Sequence, residues 1–503
     1  MNPTPGKTND SLSDSNSEDA RQQQIQKKKK SSTQLPQPGT TQGSCAFDSA
    51  MITLVPITDA AHVVHGPSGC AASIWGSYSS LSSGSMLYKI RFSSDIDESD
   101  IIFGGAKKLY KGILELQRRY KPAAVFVYAT CITALIGDDI EGVCKDATEK
   151  TGIPTIPVHC PGFIGNQNLG NRVAGEAMLS HVIGTVEPDT ITPYDINIIG
   201  EYNIAGAIWN VLPLLEKLGI RVLAKITGDA VYKEVCYAHR AKLNVLLSSK
   251  ALINMAKRME KQYGIPYIEE SIYGIEQINQ FLRNIAVKLD NPDLQERTEK
   301  LIAEETAAID EKLALYITQL QGKQVILSIG SFKSWLIIFA AKKLGMEVIA
   351  ILTKNNAEED RIRVNSLLGQ DGIILEQESP QEIFQIINEN QADMLIAEKC
   401  YQDISLTARI PFLDINQERN HAYAGYIGIL EITRELYAAF YSPVWEQVCQ
   451  PAPWSEDGGV EVGEAGEAGE AGEAGGEISS SSSSSPSSLS SPSSPLSSSE
   501  EDI

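Results

Sequence analysis

Short apolar runs of four to six residues recur through the middle of the chain. They fall at Ala124–Tyr128, Ile196–Ile199, Arg221–Ile226, Asn244–Leu247, Gln324–Leu327, Glu347–Leu352, Asp393–Ile396 and Ile410–Leu413. Each is rich in β-branched residues or leucine and too short for a buried helix, so each predicts a strand. Helical spacing lies between many of them. From about Arg297 to Leu320, the residues Leu301, Ile309, Leu313, Ile317 and Leu320 recur at roughly the period of a helical turn. Strand alternating with helix predicts parallel sheets covered on both faces. The number of strands predicts several Rossmann-like α/β domains rather than one.

The pattern vanishes at both ends. Residues 1–40 are rich in Ser, Gln, Lys and Pro, and the segment after Trp454 is repeated Gly-Glu-Ala followed by serine runs. Neither composition can bury a core. The expected organisation is a tail over 1–40, a folded body over 41–454 and an acidic, serine-rich tail over 455–503.

In parallel sheets ligands bind beyond the carboxyl ends of the strands. That rule selects Ala129–Cys131, Ser248, Ser249, Ser328–Gly330 and Asn416. No turn there carries a GxGxxG or Walker pattern, which argues against a nucleotide-binding enzyme.

Charge changes the picture little. The formal net charge is −21, but the tail 455–503 holds eleven acidic groups and no Lys or Arg, and residues 1–40 add +2. The body keeps −12, without the basic face of a nucleic-acid binder. The one lysine run, Lys27–Lys30, lies in the polar N-terminal tail and reads as solvated. No apolar run approaches the ~20 residues that cross a membrane. The N-terminus lacks the apolar stretch of a secretory signal, so a cytoplasmic location is expected.

The cysteines carry the candidate chemistry. There are eight and no CxxC pair, so zinc-ribbon and thioredoxin readings have no support. Cys45 follows a Gly-containing lead. Cys70 closes HGPSGC, whose small residues let backbone approach a bulky ligand. Cys131 follows a predicted strand. Thiolates on loops with nearby backbone N–H donors are what an iron–sulfur cluster requires, although dispersed cysteines are more often simply buried. Cys144, Cys160, Cys236 and Cys449 read as core thiols. His62 and His65 flank the site and read as packing residues rather than ligands.

The stretches CAFDSAMITLVPITDAAHVVHGPSGC, VFVYATC with TALIGDD, NLGNR with AGEAML, INIIGEYNIAG, IPFLDINQER and SPVWEQVCQPAPW resemble the cofactor-biosynthesis members of the nitrogenase component 1 family, from about Gln42 to Trp454. The resemblance implies three Rossmann-like domains around a central cavity and an α2β2 heterotetramer with a NifN-type subunit. It also implies a [4Fe–4S] cluster on Cys45, Cys70 and Cys131, its fourth ligand coming from the partner. Three thiolates leave one iron of a cubane without a cysteine. The cargo would be an iron–molybdenum cofactor precursor, held transiently. The nitrogenase iron protein and precursor donor and carrier proteins would be passing partners.

The same resemblance separates a scaffold from a catalytic subunit. Catalytic members anchor the finished cofactor with one Cys and one His, and the matching positions are Ser248 and Asn416. Asn is a poor metal ligand beside imidazole, which suits a site that gives its cargo away. No catalytic residue is assigned. Ser248, Gly330, Lys333, Cys400 and Asn416 are the candidate cavity residues. Biosynthetic members carry Cys at 248, two glycines at Gly330–Ser331, GGRN at Glu398–Tyr401, and arginines at Tyr78 and Val231. This chain departs at all of these. The rival readings are a component-1-like reductase subunit and a paralogue whose cavity is impaired.

Overall fold

A computed structural model describes residues 45–75, 80–247, 252–329, 333–353, 372–376, 379–414 and 420–450. Among them thirteen strands form three sheets, and every strand pairing is parallel. The first sheet orders β2-β1-β3-β4 from β1 (Ala61–His65), β2 (Phe92–Ser93), β3 (Val125–Ala129) and β4 (Thr155–Val158). The second orders β6-β5-β7-β8 from β5 (Asp195–Ile199), β6 (Arg221–Ile226), β7 (Leu243–Leu247) and β8 (Tyr267–Glu270). The third orders β11-β10-β9-β12-β13 from β9 (Gln324–Ile329), β10 (Glu347–Thr353), β11 (Ile373–Glu376), β12 (Met394–Ala397) and β13 (Phe412–Asp414).

All eight runs foreseen as strands are strands. Five strands escaped the apolar pattern, and four of these are sheet edges. β2 is two residues long, β8 is half acidic, and β4 carries Pro157, which has no N–H to donate. β11 is the fourth. The fifth, β1, is central and fully buried, but it reads AHVVH, and its two histidines disguise it. Burial on both faces demands partners for them, and both find them. His62 bonds Tyr128 Oη and the Ile57 carbonyl, and stacks on Phe126.

The long helix begins earlier than its apolar spacing suggests, at Pro292, and runs to Leu320. Asn291 caps it by accepting from Leu294 N–H at 2.8 Å, and proline sits in the first turn where no N–H is needed. Its buried face, including Leu294, Leu301, Ile309 and Leu313, belongs to a core shared by the second and third sheets. A second core joins Phe47, Met51, Phe126 and Tyr128 beneath the first sheet to Ala224 and Ile226 of the second and to Met255 of helix Ile253–Tyr263. Through Cys449 the described residues make one compact unit.

Candidate metal centre

Strand order assembles the site. β1, β3 and β4 are neighbours in near-level register, His65 opposite Ala129 and Tyr128 opposite Val158. Their carboxyl ends therefore emerge side by side. β1 leads through Gly66 and Pro67 to Cys70, β3 leads at once to Cys131, and β4 leads through Cys160 to Gly162. Cys45 arrives from outside the sheet. It bridges Asn166, and Ala46 N–H donates to the Gly165 carbonyl at 3.0 Å.

Gly162 sits where two of the thiols converge. A β-carbon there would lie 3.1 Å from Cys45 Sγ and 3.2 Å from Cys131 Sγ, so a side chain would enter the space the sulfurs face. Each thiol also stands at the start of a helix. Cys45 caps Ala46–Leu54, Cys70 is the third residue of Ser68–Trp75, and Cys131 opens Cys131–Ile136. Helix starts expose N–H groups that favour a negative sulfur. Cys70 is thus helical rather than in an open loop.

Without a cation, burial works the other way. It pushes the Cys45 thiol up, with the nearby Asp48 carboxylate adding to the rise while N–H donors oppose it. Burial also raises Cys70, and the neighbouring Cys131 and Cys45 thiols raise it further. Cys45 and Cys70 are thus held against ionising unless positive charge arrives beside them. Among the described residues no three His, Cys, Asp or Glu side chains close around a single metal ion. Ligands of a multi-iron cluster bind different irons, so such a donor set need not close around one ion.

Cys144, Cys160 and Cys236 are buried as expected. Cys160 lies beside the site, its Sγ 3.7 Å from the Ala129 carbonyl. Cys449 corrects the reading as a core thiol: it is exposed at the end of helix Pro443–Val448, because that helix buries none of its residues. His62 and His65 are both buried and internally bonded.

The cavity residues are less fully placed. Ser248, Gly330, Asn416 and Tyr78 lie outside the described residues. Lys333 opens helix Lys333–Lys343 after β9. Cys400 follows β12 in the 3-10 turn Lys399–Tyr401, exposed, with Sγ 3.9 Å from the Glu398 carboxylate. Val231 is partly exposed at the start of helix Tyr232–Tyr237. Gly162 and β4 were missed from sequence; the run TIPV before HCPG was the available signal.

Three parallel sheets, with cysteines gathered at the carboxyl edge of the first, define an α/β protein with a candidate metal centre. The sequence pattern of the nitrogenase component 1 type oxidoreductases matches residues 45–441, and the chain belongs to that family. It is 62% identical over 460 residues to the nitrogenase iron-molybdenum cofactor biosynthesis protein NifE of Nostoc sp. strain PCC 7120, covering 92% of this chain and 96% of that one. It is 44% identical to the protein of the same name from Klebsiella pneumoniae, covering 85% and 96%. A solved structure of nitrogenase Cp1 at pH 6.5 superposes with a TM-score of 0.71 at 30% identity, over 84% of this chain and 93% of that chain.

Proposed function

We propose that the chain is a scaffold subunit for biosynthesis of the nitrogenase iron–molybdenum cofactor. In this reading its body, residues 41–454, forms three Rossmann-like domains between two tails. It holds a resident [4Fe–4S] cluster on Cys45, Cys70 and Cys131 and carries the cofactor precursor as cargo. The carrying observation is the convergence of Cys45 and Cys131 on Gly162, with Cys70 close enough for their charges to be felt. Bound there, the cluster supplies positive charge and electron-transfer capacity. The chain's own part is to present three sulfurs from three helix starts.

Three thiolates leave one iron open, and large apolar side chains are exposed on nearby elements. Leu135 (75% exposed), Phe103 (86%) and Phe163 (59%) stand on elements that carry or adjoin the cysteines. Such a patch marks a protein contact. A NifN-type subunit in an α2β2 heterotetramer would cover it and complete the cluster. The iron protein and the precursor donor and carrier proteins would dock transiently, in the cytoplasm. Among the described residues no helix is long and apolar enough to cross a membrane.

The cavity is expected to hold its precursor weakly. Iron prefers a thiolate, and the hydroxyl of Ser248 ionises far less readily than a thiol of pKa ~8.5. Glu398 adds negative charge beside an anionic cargo. The deciding experiment is iron counting and EPR on the anaerobically purified heteromer, with and without supplied precursor. A [4Fe–4S] signal in the parent, and precursor occupancy that rises in Ser248→Cys, support the reading. A parent that keeps the cluster but takes up no precursor, or a heteromer that reduces acetylene when given the iron protein, overturns it in favour of an impaired paralogue or a reductase subunit respectively, and a parent with no cluster overturns the cluster assignment.

A further inference from the structure

One buried polar group connects the segments that carry Cys70 and Cys131, and nothing above gives it a role. His65 ends β1 with its side chain wholly buried against Asp138, Nε2 lying 2.9 Å from Oδ2. Its Nδ1 lies 2.9 Å from Ser94 Oγ, and that oxygen accepts from Gly66 N–H at 3.1 Å. The Ser94 hydroxyl proton is therefore free to be donated to Nδ1. With Ser94 donating, Nε2 carries the proton toward Asp138, and burial, which lowers the pKa of His65, favours this neutral ring. The His65 carbonyl accepts from Thr130 N–H at 3.3 Å, Thr130 Oγ1 at 2.9 Å and Thr133 Oγ1 at 3.1 Å. Both Asp138 oxygens accept from Gly105 N–H, at 3.0 and 3.1 Å.

Two glycines let these strands of structure meet. A β-carbon on Gly66 would run into the Thr130 side chain, and one on Gly105 would lie 2.9 Å from Asp138 Oδ2 and 3.1 Å from His65 Cε1. The group thus fastens the turn entering Cys70, the residue before Cys131 and the start of helix Ala106–Tyr120 to one point.

We propose that His65 and Asp138 are the positioning residues of the cluster corner, holding the Cys70 and Cys131 segments in binding geometry before iron arrives. This rests on the cluster reading above. Neither residue touches a cysteine sulfur by any hydrogen bond among the described residues; both act through the backbone of the segments they join.

The test uses the heteromer of the full-length chain with its NifN-type subunit, made anaerobically and reconstituted with ferrous iron and sulfide. Asp138→Ala, Asp138→Asn, His65→Phe and Ser94→Ala are compared with the parent. Two readouts are taken: amide hydrogen exchange of the metal-free chain, and the rate at which a ferrous chelator strips the loaded one. Asp138→Ala and His65→Phe should speed exchange in 66–75 and 130–136 together while β5–β8 stay unchanged. Iron loss should quicken about tenfold, the usual scale for a group that orients a metal ligand. Asp138→Asn keeps an acceptor for both donors and should stay near the parent. Ser94→Ala, which leaves Asp138 in place, should loosen 66–75 alone, and it decides the matter if the harsher variants fail to fold. Unchanged exchange in the two segments, or exchange raised equally through every sheet, overturns the proposal. If the parent takes up no iron, the cluster reading fails, while the exchange pattern still decides whether the pair fastens the two segments.

Discussion

Cys131 and Cys400 obey the same positional rule and end in different surroundings. Each follows the carboxyl end of a parallel strand, β3 and β12 respectively. Cys131 is one of three thiols delivered to one space, at the N-terminus of a helix, with Gly162 cleared of any side chain in front of it. Cys400 is exposed and stands apart from the other thiols, its Sγ 3.9 Å from the Glu398 carboxylate. A strand's carboxyl end therefore grants access but does not make a ligand. The ligand set comes from neighbouring strands ending level, so that their first turns converge, and from backbone N–H groups that favour the charged sulfur.

The sharpest way to break this contrast is to delete the thiols. Cys45→Ala, Cys70→Ala or Cys131→Ala should each remove most of the [4Fe–4S] signal and iron per chain. Three variants that keep a full cluster would dissolve the distinction between the two regions.

The second test concerns the core beneath the cysteine corner. Burial pushes His62 down to about 4 from an ordinary 6.5. The folded chain therefore keeps His62 neutral while the unfolded chain protonates it below pH 6.5. Its contribution to stability is present above 6.5 and is lost as pH falls toward 4, on the order of 2–3 kcal/mol over that window. Urea denaturation across this range should show the stability advantage of the parent over His62→Gln narrowing as pH falls. A constant difference would mean His62 is not held neutral.

Gly170 gives the next effect. A β-carbon there would collide with the Ala46 carbonyl, where helices Ala46–Leu54 and Gln167–His181 cross. Gly170→Ala should lower unfolding free energy by about 1–3 kcal/mol, the usual penalty for overpacking, and should loosen cluster binding through Cys45. Gly162→Ala should spare stability, since the sulfurs can give by a few tenths of an ångström, yet reduce iron retention in a chelator challenge. If Gly162→Ala holds iron as the parent does, the space in front of Cys45 and Cys131 is not the cluster's. The smallest effect belongs to the other region: Cys400→Ala should leave both cluster iron and precursor occupancy nearly unchanged. An emptied cavity in that variant would make Cys400 a relocated ligand and erase the contrast.

The sequence by itself determined the fold class, because strands buried on both faces must be apolar throughout and helices must repeat near the helical turn. Ile196–Ile199, inside a strand buried along its whole length, was legible for that reason. It also singled out Cys45, Cys70 and Cys131, through the small residues of HGPSGC and the placement of Cys131 after VFVYA. Edge strands such as β4 and β8 were hidden, since a strand paired on one side only tolerates a proline, as in buried β4, or carboxylates, as in the partly exposed β8, and β1 was hidden by histidines whose partners lie far along the chain. Only the tertiary structure decided which strands stand side by side. That order brings Gly162 between two sulfurs from residues 45 and 131, and joins His65 to Asp138. Such pairings depend on sheet register and crossover, and a one-dimensional pattern of apolar positions carries neither.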